Sequence, residues 1–105
     1  MGIRSVSLAI LLVWTAAAAA DYFDGNSLRQ LAASVNPVNV AMFRGYVAGL
    51  QDANNGAIFC VNPNVRLNQA AAVVKKYLAD HPQSWHLPAH QLVVQALSRA
   101  FPCGK

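Results

Sequence analysis

The chain has 105 residues, 8 basic and 4 acidic side chains, three histidines, two cysteines and 55% apolar residues, enough for one small domain with a modest core. It is too short for a Rossmann or P-loop nucleotide site and lacks the glycine pattern that either requires. Its positive charge is low and scattered, with only Lys75 and Lys76 adjacent, so no nucleic-acid footprint is expected.

The first twenty residues read as a secretory signal peptide. Met1 to Arg4 carries one positive charge, Val6 to Trp14 is almost wholly apolar, and Ala16 to Ala20 supplies small residues before Asp21. The apolar run is short for a membrane span, and Asp21, Asp24, Asn26 and Ser27 follow it where a stop-transfer pattern would stand. Cleavage after Ala20 is expected to release a soluble, exported single domain, 21–105, with net charge +3 and no membrane insertion. A domain of this size buries roughly 60 to 65% of its extended-chain surface, so one core is marginal and a staple would help. In an oxidising compartment Cys60 with Cys103 is the only intrachain pair, and the loop it closes is worth about 4 kcal/mol in the chain-entropy model.

Alanine is abundant and apolar-polar alternation is scarce, which favours helix over sheet. Asp21 to Asn26 reads as a loose lead-in. A first short helix is expected over Ser27 to Ala33, capped by Asn26 or Ser27 and stopped where Val35 and Asn36 approach Pro37. Asn36 and Pro37 then open the longest segment, to about Ile58, unless Asn54-Asn55-Gly56 ends it early and leaves Ala57 to Cys60 as a separate turn. Met42, Tyr46, Leu50 and Ala53 form its apolar stripe, with Phe43 and Val47 beside them. Gly45 and Gly49 each cost about 1 kcal/mol against alanine in mid-helix, which suggests close approach by a neighbouring helix or ring, the alternative being ordinary surface glycines tolerated by a stable helix.

Val61 to Arg66 is a loop, followed by a third helix from about Leu67 to Ala79 with Leu67, Ala71, Val74 and Leu78 inward and Ala70 and Tyr77 flanking. Pro82 ends it, His81 to Leu87 connects, and Pro88 starts a fourth helix that runs to about Ala100 and stops at Pro102. Leu92, Val93, Ala96, Leu97 and Phe101 supply its buried face. The fold class is therefore all-α, a compact bundle of about four helices stapled by one disulfide.

Catalytic or metal chemistry finds little support. His81, His86 and His90 are five and four residues apart across a proline-containing loop and a helix start, not on one helical face, and Asp80 is the one acid nearby. His81 sits where a helix C-terminus favours positive charge. Ser84 lies between two histidines but has no nucleophile elbow, and Asp52 and Asp80 fall on different helices. Asp52 is read as bonding to a nearby turn or a tyrosine, or as simply exposed. Trp85, between Pro82 and Pro88, and the adjacent His86 are candidate interface residues; Tyr22 and Phe23 are aromatics that cover the core or a partner.

Several pieces in fixed order resemble a known family: Phe43-Arg44-Gly45-Tyr46-Val47-Ala48-Gly49 with Asp52, Cys60 with Pro63, Lys76 to Pro82, His86 to Ala89, Leu92-Val93, and the ending through Ala100-Phe101-Pro102-Cys103. Together they look like the Rap/Tai group of immunity proteins of type VI secretion, over roughly residues 38 to 103. The resemblance implies a non-catalytic periplasmic protein without cofactor, able to form a homodimer, that neutralises a peptidoglycan amidase effector delivered by sister cells. It further implies that Gly45, Tyr46, Gly49, Asp52, Pro88, Phe101 and Pro102 shape or pack the fold, and a disulfide at the matching cysteines agrees with the stapling argument. Contact with the toxin is expected in the loops, Asn54 to Arg66 and Asp80 to His86. The rival readings are an envelope binding module without a toxin, marked by an apolar groove, and a small enzyme, marked by convergent polar groups in a cleft.

Overall fold

A computed structural model of the chain describes residues 23–104. The proposed signal peptide and Tyr22 lie outside the described residues. Four α-helices follow in order: α1 (Gly25–Ala33), α2 (Pro37–Asn54), α3 (Leu67–Asp80) and α4 (Ala89–Ala100), with a single 3-10 turn, Pro82–Ser84, between the last two. Each helix packs against the other three, which makes a four-helix bundle.

The first helix starts earlier than the sequence suggests. Asp24, not Asn26 or Ser27, is its cap, and a carboxylate oxygen of Asp24 accepts the Ser27 N–H at 2.9 Å. The lead-in is also not loose. The Gly25 N–H donates to the Leu87 carbonyl at 2.8 Å, the Asn26 N–H to the Trp85 carbonyl at 2.9 Å, and the Ala89 N–H to the Phe23 carbonyl at 3.0 Å. These bonds lace the chain before and inside α1 to the segment that leads into α4. A Cβ on Gly25 would lie 2.5 Å from Leu92 Cδ1 and 2.7 Å from the Trp85 carbonyl oxygen, so glycine is required there for close approach.

Asn36 caps α2 as expected, its Oδ1 accepting the Val38 N–H at 2.8 Å, with Pro37 in the first turn. The helix takes the early end at Asn54. Gly56, at φ +90°, then turns the chain in a conformation that side-chain-bearing residues rarely adopt, and the Gly56 N–H donates to the Phe59 carbonyl at 2.7 Å. This turn drives Phe59 into the core, where it is fully buried with Val61 close behind.

The inward face of α2 is Phe43 and Val47, flanked by half-buried Tyr46 and Leu50, while Met42 is 45% exposed and Ala53 is exposed. Positions 43, 46, 47 and 50, all within the broad predicted stripe, face the core, and the stripe loses its outer members Met42 and Ala53 to solvent. The close-approach reading of Gly45 and Gly49 is overturned: both are exposed, and a Cβ at either would meet nothing within 4 Å.

Along α3, Ala70, Ala71, Val74 and Leu78 are buried, whereas Leu67 at the first turn is 39% exposed. Gln69 reaches back so that its Oε1 accepts the Arg66 N–H at 2.8 Å, half of a capping box. In α4, Leu92, Val93, Ala96 and Leu97 are buried and Phe101 is half-buried. The core holds no buried polar or charged residue among those described.

Cys60 and Cys103 are bonded across 43 positions, with Cα atoms 4.8 Å apart. Beside the bridge the Cys60 N–H donates to the Phe101 carbonyl at 2.8 Å. The loop that carries Phe59 into the core is therefore fixed to the end of α4 covalently and by the backbone.

Candidate functional site

The two predicted contact loops lead from opposite ends of α3. The first, between α2 and α3, is held by its own asparagines: Asn55 Oδ1 accepts the Val61 N–H at 2.7 Å and Asn62 Oδ1 the Asn64 N–H at 2.8 Å. Ile58 is 51% exposed on it, directly before the buried Phe59. The second, between α3 and α4, contains the 3-10 turn. Trp85 is half-buried there, its Nε1 donating to the Leu78 carbonyl at 2.8 Å, and the Arg29 guanidinium lies 4.3 Å from the centre of its ring. His86, next to it, is exposed.

The three histidines go to different tasks. His81 follows α3, with Nδ1 2.7 Å from the Tyr77 carbonyl and its ring stacked on Tyr77 at 4.0 Å. His86 and His90 are exposed, and no group of three His, Cys, Asp or Glu side chains among the described residues is arranged to hold a metal ion. Ser84 is part of the turn, its N–H donating to the His81 carbonyl. Asp52 is exposed on α2, without an ion pair or side-chain hydrogen bond to another described residue. Tyr46 meets Phe23 edge-on at 5.4 Å, which places Phe23 over the bundle. Pro88 is half-buried in an isolated bridge with Asp24, and Pro102 is exposed beside the disulfide.

Two carboxylates have defined partners. The Ser27 N–H bonded to Asp24 holds that carboxyl below its ordinary 3.8. The hydrogen bond from Lys76 Nζ to Asp80, at 2.7 Å, lowers the second in the same way.

Of the described cations, Arg29, Arg44, Arg66, Lys75 and Arg99 are in no ion pair with another described residue, and Arg29, Arg44 and Lys75 lie close together. They border two grooves of about 300 and 240 Å³ that meet along α1 and α3, with Ala32 and Lys75 common to both. Buried Phe43 and Ala71 help floor the first groove, which Arg44 borders, and buried Leu78 helps floor the second, which Arg29 and Trp85 border. Among the described residues, neither groove is lined by a carboxylate. The sequence reading passed over this set, and local charge pattern does not single it out, since Arg66 and Arg99 also have no acid three or four residues away. Lys76 has Asp80 four residues on, while Arg29, Arg44 and Lys75 have no acid three or four residues away on either side.

The described residues form an all-helical bundle stapled by one disulfide, with two adjoining grooves on its surface. The family model of the Rap1a immunity proteins matches residues 24–103, and the chain belongs to that family. The matched span runs from the Asp24 cap to the second disulfide cysteine, so it takes in α1, which the resemblance by motif had left out. Comparison with curated proteins gives no match. Among the described residues no helix is long and apolar enough to cross a membrane.

Proposed function

We propose that this chain is an exported immunity protein. Residues 1–20 are removed during export, the remainder folds and oxidises in the periplasm, and it neutralises a peptidoglycan amidase effector of type VI secretion without catalysis of its own. The family match over residues 24–103 carries this reading. The Cys60–Cys103 bridge supports it, because such bonds persist in oxidising compartments. Inhibition by occlusion asks for a preformed patch that covers the effector's cleft, typically burying about 1,600 Å² in total. The bundle supplies stiff elements for that purpose, with Trp85 and His86 on the loop between α3 and α4 as candidate contacts.

The test is capture and titration. The oxidised, exported protein is used to draw binding partners from envelope extracts of the source and neighbouring strains, and any captured amidase is assayed on peptidoglycan. Nanomolar binding with loss of cleavage establishes the reading. An intact, oxidised fold that neither captures nor inhibits such an enzyme overturns it in favour of an envelope binding module without a toxin partner.

A further inference from the structure

We infer that the paired grooves along α1 and α3, bordered by Arg29, Arg44 and Lys75, form a docking surface for an acidic segment of a protein partner. On the proposed function, that partner is the effector, and the inference rests on that reading for the partner's identity. The surface differs from the two loops that the sequence nominates.

The argument is one of charge complementarity over an apolar floor. The chain has four acidic residues. Asp24 is engaged at the start of α1 and Asp80 with Lys76, Asp52 lies exposed on α2, and Asp21 lies outside the described residues. Among the described residues, then, no carboxylate pairs with the three groove cations, and at physiological salt each acts over roughly 8 Å. Arg29 lies over the Trp85 ring, and its buried Nε has no hydrogen-bond partner among the described residues. The floors contributed by Phe43, Ala71 and Leu78 suit apolar side chains placed between carboxylates. A segment alternating acidic and apolar residues fits both features, and charged rims of this sort set association rate and partner choice.

The test compares Lys75→Glu and Arg44→Glu with Arg99→Glu, which changes net charge equally but borders a separate groove that also holds Asp80. Thermal melts first establish that each oxidised variant is folded. Two probes are used: the amidase captured above, and short labelled peptides alternating Glu with Leu, each with a Gln-for-Glu counterpart and alongside an oligothymidylate of equal charge. The expected result is about ten-fold weaker binding for each groove variant, steep weakening with salt, and a change under two-fold for Arg99→Glu. Amide chemical-shift changes caused by the Glu peptide should centre on Ala32, Ala33, Asn68 and Ala72.

An amidase that binds and inhibits equally with all three variants overturns the groove and leaves the immunity reading standing. If no amidase is captured, the peptides decide: charge-selective binding at these amides upholds the groove without that effector, and equal binding of Glu and Gln peptides overturns it. Oligothymidylate binding as tight as the Glu peptide overturns the assignment to a protein segment.

Discussion

Gly25, at the first position of α1, and the pair Gly45 and Gly49, inside α2, meet opposite surroundings. Gly25 is walled in by Leu92 and by the backbone of Trp85, at the junction where α1 is laced to the entry of α4. Gly45 and Gly49 face open space on α2. Glycine marks a tertiary contact in the first case and an unfilled surface in the second. The mid-helix cost of Gly45 and Gly49 had suggested close approach at those two positions, but a local cost does not report what lies opposite a helix face.

The scale for this contrast is the disulfide. Replacing both Cys60 and Cys103 by alanine is expected to lower unfolding free energy by about 4 kcal/mol, measured by urea denaturation; equal stability of the two proteins would show that the bridge constrains nothing the bundle does not already hold. Gly25→Ala should come next, losing about 2 to 3 kcal/mol because the clash is with backbone atoms that cannot rotate aside. Trp85→Phe keeps most of the ring and removes the bond to the Leu78 carbonyl, so a loss of about 1 kcal/mol is expected. On the open side the sign reverses: Gly45→Ala and Gly49→Ala should each add up to about 1 kcal/mol. Destabilisation by either would mean that an interaction with this face exists in solution.

The smallest effect is electrostatic and sharpens the junction side. Asp24 and Asp80 have lowered pKa values in the folded chain, so their contributions are present in full above the ordinary carboxylate range and are lost as pH falls through the lowered folded values. Melting temperature should be insensitive to these two groups from neutral pH down to about pH 5 and should decline below about pH 4. Asp24→Asn retains an acceptor for the Ser27 N–H while losing its titration, and should flatten part of that decline. An unchanged acid limb in this variant would show that the cap has no electrostatic share in stability.

Helix boundaries were legible where local chemistry decides them. Asn36 with Pro37 and the prolines at 82, 88 and 102 act on their immediate neighbours, and the structure follows each of them. The cap of α1 was misplaced by a few residues because Asp24, Asn26 and Ser27 are all competent caps. Fixing the Gly25 backbone against Leu87 and Trp85 is what accompanies the choice of Asp24. Phe59 was missed as a core residue for a similar reason: it lies in a short turn without helical period, and only the Gly56 turn and the Cys60 anchor direct it inward.

At the candidate site, the exposed loops and Trp85 could be nominated from composition, whereas the meeting of Arg29, Arg44 and Lys75 could not. These residues come from three helices, and their proximity to common grooves depends on how those helices pack.

By itself the sequence determined an all-helical chain, most helix limits, one available disulfide and, through ordered motifs, the family resemblance. Those features follow from backbone sterics, hydrogen bonding within a turn or two, and the fact that two cysteines allow one pairing. Tertiary structure alone decided which part of the α2 stripe faces inward, which glycine is indispensable, how a loop phenylalanine completes the core, and where positive charge gathers. Each of these depends on atoms far apart in the chain competing for the same space or sharing the same field, and local pattern carries no measure of that competition.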